Sequence, residues 1–389
     1  MASLTIKGVA KAFGKTPALN GIELAVPDRE FCVLAGPSGA GKSTLLRAIA
    51  GLEGVDTGAI EIDSEVVNDW HPGARNLAMV FQSDALFPVL SVYNNIAFGL
   101  KARRVERAEI ESRVKRAADL LGIADLLPLS TRELSLPARA RVAIARAVVG
   151  EVGLCLLDEP LADINGDMRE ALRAEIKLLH RKYQMTTLYA TNDAFEAMTI
   201  GERVVLMRAG KIEQEGAPLA LFERPVTRFV AGYFGWPKMN FLHGALARST
   251  SGEAIRIDGI NDAVKLPPNR VPQDVADGSP IILGLRPEHM IRAIRVSPPD
   301  GIFRHEAEVE ALQPVGARTY ATFRMGATPV VAELQAHDVS RPGDRIRIDV
   351  NLKRASLFDA ATEKVLQPNA DSSIGSPPAG NVENRTGGE

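Results

Sequence analysis

Gly36-Pro37-Ser38-Gly39-Ala40-Gly41-Lys42-Ser43-Thr44 is the stretch whose reading decides the fold. It follows an apolar run, Phe31–Ala35, that reads as a strand. It leads into Leu45, Leu46, Ile49 and Ala50, which recur at helical spacing. A strand, a glycine-rich loop and a helix in that order are the setting that makes this pattern a phosphate cradle, a P-loop. Glycines let backbone N–H groups wrap around phosphate oxygens without Cβ clashes. The N-terminus of the following helix adds partial positive charge. Lys42 is expected to reach the β and γ phosphates of a nucleotide, and Ser43 to hold Mg²⁺. The bland alternative, a glycine-rich turn without a ligand, does not explain a strand before the loop and a helix after it.

The second half of the site is expected at Leu154-Cys155-Leu156-Leu157-Asp158-Glu159-Pro160, an apolar strand that ends in two carboxylates. Asp158 is placed to hold Mg²⁺ and Glu159 to polarise an attacking water. Acids at the C-terminal end of a strand fit the rule that α/β sheets bind ligands there.

Outward from these motifs, strand-like runs at 77–81, 153–157, 187–190 and 203–207 alternate with helical patterns at 105–121 and 168–183. That alternation predicts an α/β domain on a largely parallel, buried sheet over residues 1–235. The character changes near Gly235-Trp236-Pro237. Residues 236–366 read as short strands (254–257, 281–285, 307–312, 320–323, 330–334 and 345–350) with Gly and Pro punctuation, which predicts a small β-barrel. Residues 367–389 are Pro, Gly, Ser and Asn with few apolar side chains, the composition of a disordered tail.

Composition narrows the function. At 389 residues the chain is long enough for two domains, and a formal net charge of −2 gives no pull toward nucleic acid or anionic lipid. The two cysteines, Cys32 and Cys155, sit in apolar runs and read as reduced, packed thiols; the six histidines show no metal-ligand spacing. No stretch approaches a membrane span, and the N-terminus lacks the apolar core of a signal peptide. The chain is therefore expected in the cytosol, with any membrane contact made through a partner.

With these residues in hand, the sequence resembles the ATP-binding subunits of ABC transporters, collinearly from about Leu4 to Leu366. Gln82, in Val80-Phe81-Gln82, matches the family's Q-loop glutamine, which senses Mg²⁺ and joins the catalytic core to a helical subdomain. Phe13 falls where the family stacks an aromatic on adenine. Ala78-Met79-Val80-Phe81-Gln82, Asn94–Leu100, Glu196-Ala197-Met198-Thr199, Phe229-Val230-Ala231-Gly232 and Met239-Asn240-Phe241 are similar to the ATPases of carbohydrate importers of the maltose and glycerol-phosphate type. Leu283–His289 and Leu357-Phe358-Asp359 resemble the OB-like TOBE domain appended to them. The resemblance implies ATP with Mg²⁺ as ligands, Gln82 as a metal contact beside Ser43 and Asp158, and a second ATP-binding subunit in a homo- or heterodimer. It also implies permease subunits that receive the segment 83–100 and hold the chain at the cytoplasmic face of the inner membrane. The transported solute it favours is a sugar, polyol or glycerol phosphate.

Three motifs depart from that family. Where it reads Leu-Ser-Gly-Gly-Gln, this chain has Leu134-Ser135-Leu136-Pro137-Ala138. Leu136 adds bulk and Pro137 removes a backbone donor, although Pro suits a helix start. The switch histidine is Asn192, which hydrogen-bonds but takes no proton. The D-loop aspartate is Asn165, with Asp163 two positions early. These changes predict ATP binding with impaired hydrolysis. A catalytically silent subunit paired with an intact paralogue is the alternative. A soluble ABC protein acting on nucleic acid would carry tandem ATPase domains, and this chain has one P-loop.

Overall fold

The strand that leads into the glycine-rich loop, Phe31–Ala35, is buried at every residue, as are Thr186–Thr191 beside it and Leu154–Asp158 on the far side of that strand. Strands covered on both faces carry continuous apolar runs rather than alternation, which is why these were readable in the sequence. The computed structural model describes residues 2–250, 252–339 and 341–366, so the expected tail at 367–389 lies outside the described residues. Chain contacts divide the protein into two units. The first runs to Val226 and includes Tyr233–Gly235; the second takes Thr227–Gly232 and the chain from Trp236.

The first unit contains β1 (Leu4–Phe13), β2 (Thr16–Val26), β3 (Phe31–Ala35), α1 (Lys42–Ile49), β4 (Thr57–Ile62), β5 (Glu65–Val66), β6 (Leu77–Val80) and α2 (Val92–Ala102). It continues through α3 (Arg107–Leu120), α4 (Leu136–Val148), β7 (Leu154–Asp158), α5 (Gly166–Tyr183), β8 (Thr186–Thr191), α6 (Ala194–Ile200), β9 (Arg203–Arg208) and β10 (Lys211–Gly216). Among the described residues, six strands form one sheet in the order β10-β9-β3-β8-β7-β6. All its pairings are parallel except that of the edge strand β10. Four strands form a second, antiparallel sheet in the order β2-β1-β4-β5. The sequence reading missed this sheet. Register shifts between Ile6, Val9, Lys11 and Ala12 break the period-2 signal of β1, although Leu4, Ile6 and Val9 all point into the core.

Arg75 shows how the helix behind the cradle is anchored. It is 4% exposed, and its guanidinium donates to the carbonyls of Ala48 and Ile49, each at 2.9 Å, and of Asn68 at 3.0 Å. Burial lowers its pKa, but the helix C-terminus supplies partial negative charge that favours the cation. Arg75→Ala leaves these carbonyls without their donor and is expected to cost about 2 kcal/mol. Chemical unfolding followed by tryptophan fluorescence checks this, and an unchanged midpoint would contradict it. Cys32 and Cys155 are buried, and burial pushes both thiols up to about 12.

In the second unit, strands Val264–Lys265, Gly252–Ile257, Asn240–Ser249, Pro280–Leu285 and Ser356–Asp359 form one antiparallel sheet, with two three-stranded sheets beside it. All enclose one apolar core that includes Leu242, Ile255, Leu283, Phe323, Val330 and Ile348. The run read as one strand over 307–312 is two, Ile302–Glu308 and Ala311–Val315, because pairing passes from Arg345–Asn351 to Arg318–Met325 across Val309 and Glu310. Buried Asn240 closes the packing. Its amide donates to the Leu285 and Val331 carbonyls at 3.1 and 2.9 Å, and its oxygen accepts from Val331 N–H at 2.8 Å. Arg286 is buried too, and burial lowers its guanidinium to about 10.

Candidate functional site

Four strands of the parallel sheet deliver the site at their C-terminal ends. β3 leads into Gly36–Thr44, β6 into Gln82, β7 ends on Asp158 before Glu159, and β8 is followed by Asn192. A cavity of about 320 Å³ is lined by Ala18, Ser38–Thr44, Gln82, Glu159 and Asn192. Loops that are far apart in sequence therefore converge because neighbouring parallel strands point the same way.

Two cradle glycines have conformational reasons. Gly39 and Gly41 sit at φ 80° and 104°. A Cβ at Gly41 would lie 2.6 Å from the Ala18 carbonyl oxygen, so no side chain fits at the start of α1. The Lys42 ammonium is 4% exposed and donates to the carbonyls of Gly36 at 2.8 Å and Pro37 at 3.1 Å. It also lies 3.5 Å from Glu159 Oε1. Burial lowers its pKa, and the carboxylates of Glu159 and Asp158 oppose that. Ser43 Oγ donates to Asp158 Oδ1 at 2.8 Å; burial raises the Asp158 pKa, against the Ser43 hydrogen bond and Arg47.

Glu159 adopts φ 46°, a left-handed backbone that is uncommon for a residue with a side chain. Its N–H donates to the Ala190 carbonyl at 3.0 Å, which fixes the turn after β7 on β8. Its Oε2 accepts from Asn192 Nδ2 at 3.2 Å. The turn carrying Asn192 is held by its neighbours: Asp193 N–H donates to Thr191 Oγ1 at 3.0 Å, and Asp193 caps α6.

Gln82 is followed by a strained turn, with Asp84 and Ala85 at φ 57° and 49°. The arginines of α4 stabilise it. Arg146 donates to the carbonyls of both residues, and Arg139 pairs with the Asp84 carboxylate at 3.0 Å. Arg141 instead makes a two-pronged pair with Glu175 of α5. The altered motif still starts a helix: Ser135 precedes α4, Pro137 lies in its first turn, and Leu136 is 51% exposed. Asn165 stands at the N-cap of α5 without a side-chain cap bond, while Arg169 joins the Ile164 carbonyl to Asp193.

Phe13 lies at the end of β1, 51% exposed, with the Lys11 ammonium 5.4 Å from its ring centroid. It is not among the residues that line the cavity, nor are Gly36, Pro37 and Asp158. One residue was missed altogether. Tyr233 Oη accepts from Gly36 N–H at 3.0 Å and donates to the Asn192 carbonyl at 3.0 Å. It lies 197 positions from Gly36, and no local pattern marks it.

Comparison with known proteins gives the family. Residues 19–162 match the ABC transporter family, 235–290 the MalK OB fold domain and 283–358 the TOBE domain. The chain is 39% identical over 378 residues to the sn-glycerol-3-phosphate import ATP-binding protein UgpC of Cupriavidus metallidurans, covering 95% of this chain and 100% of that protein. The protein of that name from Burkholderia cenocepacia is 42% identical over 368 residues, covering 94% of this chain and 99% of the other. Among solved structures, the dimeric bacterial ABC transporter cassette MJ0796 matches with a TM-score of 0.52 at 27% identity, covering 55% of this chain and 98% of its own. A post-hydrolysis form of that cassette bound to ADP and Pi matches with a TM-score of 0.51 over the same shares at 27% identity. The matched families thus follow one another in the order of the chain, the ABC transporter match over 19–162 and the OB and TOBE matches over 235–358. The chain belongs to the ABC transporter family, as an ATP-binding subunit with ATPase activity in the importer branch that carries MalK-type OB and TOBE domains.

Proposed function

We propose that this subunit drives uptake of sn-glycerol 3-phosphate, or a related sugar or polyol, through a permease partner, and that it binds Mg-ATP tightly while hydrolysing it slowly. The observation that carries this reading is a mismatch. Lys42, Ser43 and Glu159 line the cavity, with Asp158 hydrogen-bonded to Ser43 beside it, while Asn192 stands where the family resemblance puts the switch histidine and Leu136-Pro137 opens α4.

Hydrolysis requires a water to attack the γ-phosphorus while the bond to the β–γ bridging oxygen breaks and ADP leaves with the electron pair. Glu159 takes the proton from that water. Gly39, Gly41 and the start of α1 offer backbone N–H groups to the phosphates, and Lys42 turns from the Gly36 and Pro37 carbonyls toward them. The Ser43 hydroxyl and Asp158 carboxylate form an adjacent oxygen pair that fits Mg²⁺, with the Gln82 side chain at the same cavity. When bound, Mg²⁺ neutralises charge on the phosphate oxygens.

The weakness lies in two contributors to γ-phosphate stabilisation. Asn192 donates a neutral hydrogen bond where an imidazolium would add charge. In the partner's site, Pro137 presents no N–H and Leu136 keeps the helix start at a distance. In a homodimer both sites carry both defects; with an intact paralogue, each site carries one. No helix of the described residues is long and apolar enough to cross a membrane; in this reading the subunit meets the inner membrane through its permease partner.

Restoring Asn192→His together with Leu136→Gly, Pro137→Gly and Ala138→Gln is expected to raise steady-state turnover about tenfold or more, with ATP affinity little changed. Equal turnover in the two proteins would remove the claim of impaired hydrolysis. Loss of labelled sn-glycerol 3-phosphate uptake on deleting the gene checks the substrate, and unaltered uptake would exclude it.

A further inference from the structure

We propose that Tyr233 is a positioning residue for ATP hydrolysis: its hydroxyl pins the Asn192 peptide to the P-loop, so that the short Asn192 amide stands at the Glu159 carboxylate beside the γ-phosphate position. This rests on the nucleotide site as assigned above.

The contacts form a closed circuit. Gly36 N–H donates to Tyr233 Oη, Tyr233 Oη–H donates to the Asn192 carbonyl, and Asn192 Nδ2 donates to Glu159 Oε2. Glu159 Oε1 lies 3.5 Å from Lys42 Nζ, which donates back to the Gly36 carbonyl at 2.8 Å. Three of the five links involve Lys42 or Glu159, which line the cavity, and those are the links a phosphate would compete with. The Tyr233 links use only backbone groups of Gly36 and Asn192, and neither Tyr233 nor Gly36 lines the cavity. They can persist with nucleotide bound.

The tyrosine also completes the hold on one peptide plane. The amide between Asn192 and Asp193 is fixed at its N–H by Thr191 Oγ1 and at its oxygen by Tyr233. That peptide plane is thus held at both ends, and the short Asn192 side chain is in turn hydrogen-bonded to Glu159. Burial raises the Tyr233 phenol far above its usual range, with Asp193 and Glu159 adding to that against the Gly36 N–H. The hydroxyl is thus protonated and a donor at any pH of interest. Its ring packs edge-on against Phe234, with centroids 5.0 Å apart, a contact that a phenylalanine would keep.

The test compares the full chain with Tyr233→Phe, Asn192→Ala and the double variant. The readouts are kcat, KM for ATP and the ratio of Mg-ATP to Mg-ADP affinity. Tyr233→Phe is expected to lower kcat about fivefold, the weight of one hydrogen bond, and to lower the preference for ATP while leaving ADP affinity unchanged. In the Asn192→Ala background it is expected to change nothing further, since the side chain it positions is gone. Effects that multiply, a parallel loss of ADP affinity, or no effect of Tyr233→Phe would each overturn the proposal. The affinity ratio needs no turnover, so it decides the role of Tyr233 even where hydrolysis is absent from every variant. Fast wild-type turnover would count against impaired hydrolysis and leave this comparison standing.

Discussion

Glu159→Gln is expected to lower steady-state ATP turnover about a hundredfold or more while the protein still binds ATP. Glutamine is nearly isosteric, keeps an oxygen that can accept from Asn192 Nδ2, and asks nothing new of the left-handed backbone at φ 46°. It loses only the ability to take a proton and the negative charge that faces Lys42 at 3.5 Å. Removing that charge relieves repulsion of the γ-phosphate, so ATP affinity should hold or rise. Turnover within about threefold of the parent would mean that the residual rate owes nothing to this carboxylate. The subunit would then be catalytically silent, a nucleotide-loaded partner to an intact paralogue.

Lys42→Ala acts on the other half of the site, with an effect on binding rather than turnover. The ammonium is buried, and its contacts with the Gly36 and Pro37 carbonyls hold it at the mouth of the cradle. Charge-assisted contacts to phosphate contribute about 1.5–3 kcal/mol each, so losing those to the β and γ oxygens is expected to weaken ATP binding about a hundredfold or more. Calorimetric titration with Mg-ATP, on variant protein whose circular dichroism matches the parent, measures this. Affinity within about threefold would show that the backbone cradle alone carries the phosphates. The substitution also frees the Glu159 carboxylate from its cation, so the empty site should become more mobile around residues 158–160, which amide exchange reports.

Much of the α/β unit was legible because its signals are local. β3 and β7 are apolar runs, the first followed by Gly36 and the second ending in Asp158 before Glu159. The cradle is nine consecutive residues, Gly36–Thr44, whose chemistry follows from their order. The substitutions at Leu136, Pro137 and Asn192 were equally plain, since each changes a donor at a known place in a motif. The sheet of β1, β2, β4 and β5 was harder to read because bulges interrupt its alternation. The strand break at Val309 and Glu310 was hidden because a change of pairing partner leaves no mark on an apolar run.

What the sequence determined by itself is a P-loop pattern between a strand and a helix and two carboxylates at a strand end; the reading of Asn192 as the switch position came from the family resemblance. Only the tertiary structure decided how those groups support one another. Arg139 and Arg146 lie in the helix after Leu136-Pro137, and the fold uses them to hold the strained turn after Gln82. Tyr233 carried no signal, yet it joins Gly36 to Asn192 across 197 and 41 positions of chain. The physical reason is the same in both cases. A side chain's partners over such distances are set by strand order and by the direction in which parallel strands point, and those arise from the packing of the whole sheet rather than from any window of sequence.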